Sequence, residues 1–399
     1  MSEVANIPQL RFPEFGDNWE EKKLGNVTSI VMGQSPDSTS YNSNGIGLYL
    51  IQGNADIKKR KTLPRVWTDT PTKECKVGDI IMTVRAPVGA VAKSIHNACI
   101  GRGVCAIRNN QHSVSNYIYQ FLLSFEKKWV KFEQGSTFTA VNTKDVKSLK
   151  LILPPVQEQT KIAAFLTEVD TKIEQLSKKQ ELLGEYKKGL MQQIFSQVIR
   201  FKADDGCDFP DWEEKKLGGI GSFYRGHTYN STNVKNNGLL VLRSSNIKND
   251  KLVLDKDLQF VDKICSDKIS LRTDDIVICM ANGSKHLVGK SGVYYGDYDN
   301  KLTVGAFCSI FRTDNKLSKY ILQTVQYKRY LHILLAGTNI NNLKNSELAE
   351  LKFNLPVSIN EQTKIANFLS SIDSKIEQVS KQLVESKQFK KALLQQMFV

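Results

Sequence analysis

The octet Ser284-Lys285-His286-Leu287-Val288-Gly289-Lys290-Ser291 ends as a phosphate-binding loop ends. In such a loop glycines let backbone N–H groups cradle phosphates, and the Lys and Ser reach the terminal phosphates and a metal ion. Here Ser stands where the first Gly is required, and Gly283 comes one position too early. The corresponding stretch Arg85-Ala86-Pro87-Val88-Gly89-Ala90 lacks the ending altogether, so a loop at a strand edge describes both. Gly45-Ile46-Gly47 and Gly101-Arg102-Gly103 lack the third glycine of a dinucleotide fingerprint and read as turns. The five histidines, His96, His112, His227, His286 and His332, form no metal-ligand spacing. Seven cysteines, an odd number with no C-x-x-C pair, suggest neither a disulfide framework nor zinc, and fit reduced thiols in a cytosol. Pro210-Asp211 with Glu214 and Lys216 superficially resembles a nuclease's carboxylate-and-lysine set. Its spacing is too tight to span separate strands, and the matching Glu21 and Lys23 lack the Pro-Asp; both blocks read as helix starts or surface. The Asn/Asp-Pro-Pro-aromatic motif of an amino-methyltransferase is also missing. The chain is expected to catalyse nothing by itself and to bind no metal or cofactor of its own.

A second kind of chemistry is better represented. Polar and cationic side chains cluster at Gln34 and Ser35; at Lys58, Lys59, Arg60 and Lys61 with Arg65; at Arg85; at Arg102; and at Ser136, Thr137 and Thr139. They cluster again at Arg225, His227 and Thr228; at Arg243, Ser244, Ser245 and Asn246; at Asn282, Lys285 and His286; and at Asn339, Asn341 and Asn342. Such side chains on loops can hydrogen-bond base edges, while Lys and Arg hold phosphates. A solvated loop describes any single cluster equally well; recurrence at corresponding places argues for a shared task. The formal net charge is +14, distributed as +7 over 1–155, 0 over 156–199, +5 over 200–356 and +2 over 357–399. A positive excess of this size favours a polyanion, nucleic acid first, over a merely basic surface.

The elements that must position these loops are duplicated. Trp19-Glu20-Glu21-Lys22-Lys23-Leu24-Gly25 returns as Trp212-Glu213-Glu214-Lys215-Lys216-Leu217-Gly218. Glu158 to Lys178 returns as Glu361 to Lys381 with 15 of 21 positions identical. Between these blocks the halves hardly match. The chain divides into four segments: a mixed domain at 1–155, a helix at 156–199, a second mixed domain at 200–356 and a second helix at 357–399. Within the first domain, Val77 to Val84 reads as a turn and buried strand, and Tyr117 to Phe132 as a helix. Ile162, Leu166, Val169, Ile173, Leu176, Leu183, Leu190 and Ile194 follow the 4,3 alternation of a coiled-coil seam, interrupted at Gln180 and Lys187. Ile365, Leu369, Ile372, Ile376, Val379, Leu383, Leu393 and Met397 follow it again, interrupted at Ser386 and Lys390. A helix of about 40 residues is about 60 Å long and cannot bury its stripe alone. Its natural partner is the other helix, antiparallel about a pseudo-twofold; the alternative is that each packs only on its own domain. The fold class is therefore α+β: two mixed α/β domains separated by two long antiparallel coiled-coil helices. The N-terminus lacks a signal peptide's apolar core, and no run approaches the ~20 apolar residues of a membrane span, so a cytoplasmic location is expected.

In order and in duplicate, these features resemble the specificity (S) subunits of bacterial type I restriction–modification systems. The residues that carry the resemblance are Pro8-Gln9-Leu10-Arg11-Phe12-Pro13-Glu14-Phe15 before Trp19, Asp208-Phe209-Pro210-Asp211-Trp212, Gly78-Asp79-Ile80 followed by Arg85, and Leu153-Pro154-Pro155 leading to Glu158-Gln159. Leu355-Pro356 followed by Glu361-Gln362 is the second copy of the last; Asp274-Asp275-Ile276 departs from the Gly-Asp-Ile of the first. The resemblance implies two target-recognition domains, each reading one half of a bipartite, asymmetric double-stranded DNA site. It implies two methyltransferase (M) subunits, two restriction (R) subunits in the full complex, and S-adenosylmethionine, ATP and Mg on those partners rather than on this chain.

Overall fold

The computed structural model describes residues 7–134, 140–336 and 341–398, with backbone alone at 130–134. The four longest helices among the described residues are α1 (Ser115–Gln134), α2 (Val156–Phe195), α3 (Val325–Ala336) and α4 (Ile359–Gln396). The chain forms two compact units. Unit 1 combines Met1–Lys179 with Val379–Val399, and unit 2 is Gln180–Gln378, so both divisions fall inside the long helices α2 and α4.

Unit 1 is built on a six-stranded sheet. Its order is Thr28–Met32, Val104–Asn109, Ile80–Thr83, Val91–Lys93, Lys61–Thr62 and Ile57–Lys58. The run Ile80-Ile81-Met82-Thr83 is buried on both faces, which is why it reads as continuous apolar β sequence rather than alternation. Unit 2 repeats the sheet with Ser222–Arg225, Cys308–Arg312, Ile276–Cys279, Ser291–Val293, Lys251–Leu252 and Ile247–Lys248. A second sheet has five strands in unit 1 and four in unit 2 among the described residues. The Gly78/Asp274 departure is absorbed by conformation: both residues are left-handed, at φ +92° and +70°, and Asp is among the few side chains that tolerate this region.

The repeated Trp blocks are not helix starts. Glu20–Lys23 is an exposed strand pairing antiparallel with Lys150–Leu153, and Glu213–Lys216 pairs likewise with Lys352–Leu355. Each is followed by a single helical turn, at Leu24–Val27 and Leu217–Ile220. A four-residue charged run has no apolar alternation to announce a strand; its partner strand supplies the pairing.

In each copy the repeated blocks meet at a buried carboxylate. Glu158, fully buried, accepts from Arg11 Nε and Nη2, both at 2.7 Å, and from Trp19 Nε1 at 3.1 Å. Glu361, equally buried, accepts from Arg200 Nη2 at 3.2 Å and from Trp212 Nε1 at 3.0 Å. A buried charge is tolerated only when it is paired and its lone pairs are filled. Arg, Trp and Glu thus tie the start of each domain to the start of the helix that comes after it. The neighbouring glutamines extend the clasp: Gln159 accepts from Val114 N at 2.9 Å, and Gln362 accepts from Asn315 Nδ2 at 3.1 Å.

The long helices run antiparallel within each unit. In unit 1, Asp170 of α2 meets Lys390 of α4 at 2.5 Å, while Ile162 and Leu166 share a core with Leu393 and Met397. In unit 2, Lys187 meets Asp373 at 2.6 Å, while Met191 and Ile194 share a core with Ile365 and Leu369. Of the seam residues, Ile162, Leu166, Leu176, Ile365, Leu369, Ile372, Val379, Leu383 and Leu393 are buried. Val169, Ile173, Leu183, Leu190 and Ile376 are half-buried. The interruptions Lys187 and Lys390 are thus ion pairs rather than gaps. Each aspartate has a second partner: Gln120 Nε2 donates to Asp170 at 2.7 Å, and Tyr320 Oη to Asp373 at 3.1 Å. Burial lowers the Lys390 pKa, and the Asp170 carboxylate opposes that fall. The helices also pack on the domains, since α2's Ile162, Ala163 and Leu166 join Tyr117, Ile118 and Leu122 of α1.

Candidate nucleic-acid interface

The structure sorts the polar clusters into those free to meet a ligand and those spent on the frame. Lys59 and Arg60 form the two-residue turn of a hairpin, both left-handed at φ +49° and +64°. Unit 2 has Asn249 and Asp250 at the same turn, at φ +51° and +60°. Asn and Asp suit such a turn, whereas Lys and Arg do not. Ion pairs hold the Lys-Arg version: Arg60 forks onto Glu126 of α1 and donates to Val91 O at 3.1 Å, and Lys61 meets Glu174 of α2 at 2.6 Å. Lys251 meets Glu377 of α4 at 2.7 Å in the same way. Arg60 and Lys61 therefore brace the hairpin against helices, leaving Lys58, which is exposed, at its base. Arg65 leans on the buried Asp56 at 3.4 Å.

Asn246 is 1% exposed and cannot touch DNA. Its Oδ1 accepts from Arg243 N at 2.9 Å, and its Nδ2 donates to Lys256 O at 3.1 Å. Asp56 does the equivalent capping in unit 1, accepting from Gln52 N at 2.8 Å. The remaining residues gather. In unit 1, Gln34 and Ser35 lie against the Gly101–Gly103 turn, with Arg102 N donating to Ser35 Oγ at 3.2 Å. Arg85 is exposed beside them, its neighbour Val84 donating to Gly103 O at 2.9 Å, and it bridges to Ala140. In unit 2, His227 bridges to Gly305, and Gly305 N donates to Leu242 O at 2.8 Å, just before Arg243. Asn282 Nδ2 donates to Ser244 Oγ at 3.1 Å, Asn282 N to Asn341 O at 3.3 Å, and Asn342 bridges to Ala281. Arg225, Thr228, Ser245, Lys285 and His286 are exposed around this group. Ser136, Thr137, Thr139 and Asn339 lie outside the described residues.

The Lys285–Leu287 turn belongs to the connection between the antiparallel strands Ile276–Cys279 and Ser291–Val293, so the near-phosphate-loop octet is a hairpin connection. A phosphate loop would lead from its strand into a helix, whose N-terminus receives the phosphate. No group of three or more His, Cys, Asp or Glu that could hold a metal ion occurs among the described residues. Nor is any described helix long and apolar enough to cross a membrane. Burial pushes the Cys105 and Cys308 thiols up to about 12, which suits packing rather than nucleophilic work.

Sequence reasoning missed one surface residue here. Phe307, with 71% of its surface exposed, stands at the turn that unit 1 fills with Gly101-Arg102-Gly103. Its signal was an aromatic residue directly after Gly305-Ala306, where the first copy keeps Gly and Arg.

Comparison with known proteins bears on the family and the fold. A family profile described as the type I restriction modification DNA specificity domain matches residues 16–183 and again 210–386. A Methanocaldococcus jannaschii protein named as specificity subunit for the MjaX type I restriction enzyme is 37% identical over 204 residues. That match takes in 50% of this chain and 46% of the relative, so this chain spans about half the length of that protein. The MjaVIII specificity subunit of the same organism is 24% identical over 96% of this chain and 92% of its own. In fold, the chain is similar to the S subunit of the type I restriction–modification system of M. genitalium, with a TM-score of 0.64. That alignment covers 98% of this chain and 99% of that one at 17% identity. With the specificity domain recognised twice over most of its length, the chain belongs to the type I restriction–modification DNA specificity family.

Proposed function

We propose that this chain is the sequence-reading subunit of a type I restriction–modification assembly, with unit 1 reading one half of a bipartite double-stranded DNA site and unit 2 the other. The observation that carries the reading is the pairing of one frame with two loop sets. The Arg–Trp–Glu clasp, the six-stranded sheet and the Asp–Lys seam pairs recur in both units, while the exposed polar loops differ residue by residue. A protein that presents two readers of one kind of target needs that division. The net positive charge lies mainly on the domains and supplies the phosphate attraction that base contacts then refine.

The near-neutral helices have two tasks in this reading. They set the distance between the readers, hence the unread gap in the site, and their repeated surfaces dock two M subunits, to which two R subunits add in the full complex. S-adenosylmethionine, ATP and Mg are used by those partners. This chain holds the site, and M flips the target adenine out of the duplex and transfers the methyl group.

Co-expression with a type I M subunit in a methylation-free host, followed by genome-wide mapping of methylated adenines, tests the reading. A split motif that disappears without this chain is the expected result. Absence of methylation despite a soluble complex with M would sink it. The spacer role has its own test: Ile173→Asp with Ile376→Asp places two carboxylates on the half-buried seam, and loss of assembly with M is expected. A complex that survives with its gap length unchanged would refute the spacer.

A further inference from the structure

In each unit one four-residue turn is gripped by the same set of main-chain bonds yet carries unlike residues at its tip. In unit 1 the turn is Gly101–Val104, closed by Val104 N donating to Gly101 O at 3.2 Å. Gly33 N donates to Val104 O at 3.0 Å, Gln34 N to Ile100 O at 2.8 Å and Gly101 N to Ile51 O at 2.8 Å. In unit 2 the turn is Gly305–Cys308, closed by Cys308 N donating to Gly305 O at 2.8 Å. Gly226 N donates to Cys308 O at 3.1 Å, His227 N to Val304 O at 2.6 Å and Gly305 N to Leu242 O at 2.8 Å. The strand that grips each turn must come very close. A Cβ on Gly33 would lie 2.1 Å from Gly101 O, and one on Gly226 2.2 Å from Gly305 O.

The main-chain scaffold is thus repeated bond for bond, while the tip carries unlike residues: Arg102-Gly103 in one unit, Ala306-Phe307 in the other. Arg102 is exposed and anchors through its backbone N and through Nε, at 3.4 Å from Ser35 Oγ, at the root of its fork. Phe307 has a fixed backbone, its carbonyl accepting from Met280 N at 2.8 Å and Ala281 N at 3.2 Å, while its ring stands in solvent. The adjoining side chains are hydrogen-bonding groups, with Asn282 directly after Ala281 and tied to Ser244. A rigid turn that projects a cation in one copy and a phenyl ring in the other, beside polar loops, has the form of a reader with exchangeable chemistry.

Resting on the DNA-reading role above, we propose that this turn is the base-reading tip of each unit and that the two tips recognise different bases. Arg102 presents its guanidinium fork to O6 and N7 of a guanine, and Phe307 packs on the C5-methyl group of a thymine, both in the major groove. The two half-sites then differ in kind: one contains a guanine read by a charged fork, the other a thymine read by its methyl group.

The test uses the full chain purified with a type I M subunit, and duplexes carrying the methylated motif found by genome mapping. Uracil in place of thymine removes only the methyl group, and 7-deazaguanine in place of guanine removes only the N7 acceptor. Wild-type binding is expected to weaken about 10-fold with uracil at one position of the half-site read by unit 2. Phe307→Ala should bind thymine and uracil equally there, and Phe307→Leu, which keeps an apolar contact, should still discriminate. Wild-type binding should likewise weaken about 10-fold with 7-deazaguanine at one position of the other half-site, and Arg102→Ala should be indifferent to it. Wild-type insensitivity at every thymine, or Phe307→Ala with unchanged sensitivity, overturns the assignment of Phe307; the same results with guanine and Arg102→Ala overturn that of Arg102. A wild-type complex that prefers no sequence at all overturns the DNA-reading role, and both tip assignments with it.

Discussion

Replacing Glu158 by Ala is expected to destabilise unit 1 by about 3–5 kcal/mol while leaving unit 2 unchanged. The carboxylate is fully buried and takes both arms of Arg11 and the indole of Trp19. Its removal leaves a mostly buried guanidinium without its ion-pair partner and a buried indole N–H without an acceptor, and each such orphan carries its own desolvation cost. Glu158→Gln should fall between, because an amide oxygen still accepts one bond while the charge stays unbalanced. Glu361→Ala should cost unit 2 less. Its Arg200 contacts are longer, at 3.2–3.4 Å, and Arg200 is the more exposed of the two arginines. Calorimetry resolves the question if the units melt separately. A loss below about 1 kcal/mol, or a fall of both transitions together, would show that the clasp is not what fixes each domain to its helix.

The largest functional effect is expected from exchanging residues 26–150 for the equivalent segment of another family member. The exchanged segment carries Gln34, Ser35, Arg85 and Arg102, but leaves Trp19, Leu151, Glu158 and the whole of α2 in place. Clasp and seam therefore survive while unit 1 receives a new loop set. The methylated motif should change in one half and keep its other half and gap. Binding to the original site should drop by about 10³-fold or more, since each mismatched pair costs about 1–3 kcal/mol and several change at once. Methylome mapping of the chimera checks this, and a change in both halves would refute independent reading.

Most of the frame was legible because it is written twice. A buried carboxylate with three donors constrains Arg, Trp and Glu together, so Trp19, Glu158 and their repeats stand out as matched words even before their contact is known. The seam was legible for a different reason: an apolar stripe of about 40 residues at helical spacing has few other readings. Its interruptions were harder. Lys187 and Lys390 lie where apolar residues are due, and the aspartate that answers each sits on the other long helix, a pairing no single-helix pattern reveals. Glu20–Lys23 and Glu213–Lys216 read as helix starts or surface; they are surface, but strands rather than helix starts, because strand pairing with a distant segment leaves no local trace. Among the loops, composition could not separate Lys58-Lys59-Arg60-Lys61, whose last two members brace a hairpin, from Arg102, which faces solvent. Nor could it separate Asn246, a buried cap, from Asn282. Residue type gives the capacity to hydrogen-bond, but burial decides who receives the bond, and burial is set by tertiary structure.

The division of the chain also bears on the order in which it is made. Unit 2 is a continuous stretch, Gln180–Gln378, but unit 1 takes in the distant segment Val379–Val399, which helps close its core. Leu393 and Met397 are buried there, and the ring of Phe398 lies 5.2 Å from that of Tyr117. A ribosome that has finished the first domain's sequence has not finished its fold. The part synthesised first is completed only after the part synthesised second, and until residues 393–398 have been made the nascent first domain exposes the apolar surface that Leu393, Met397 and Phe398 will cover. Deleting residues 379–399 would thus open the core of unit 1, although that segment follows the whole of unit 2 in sequence.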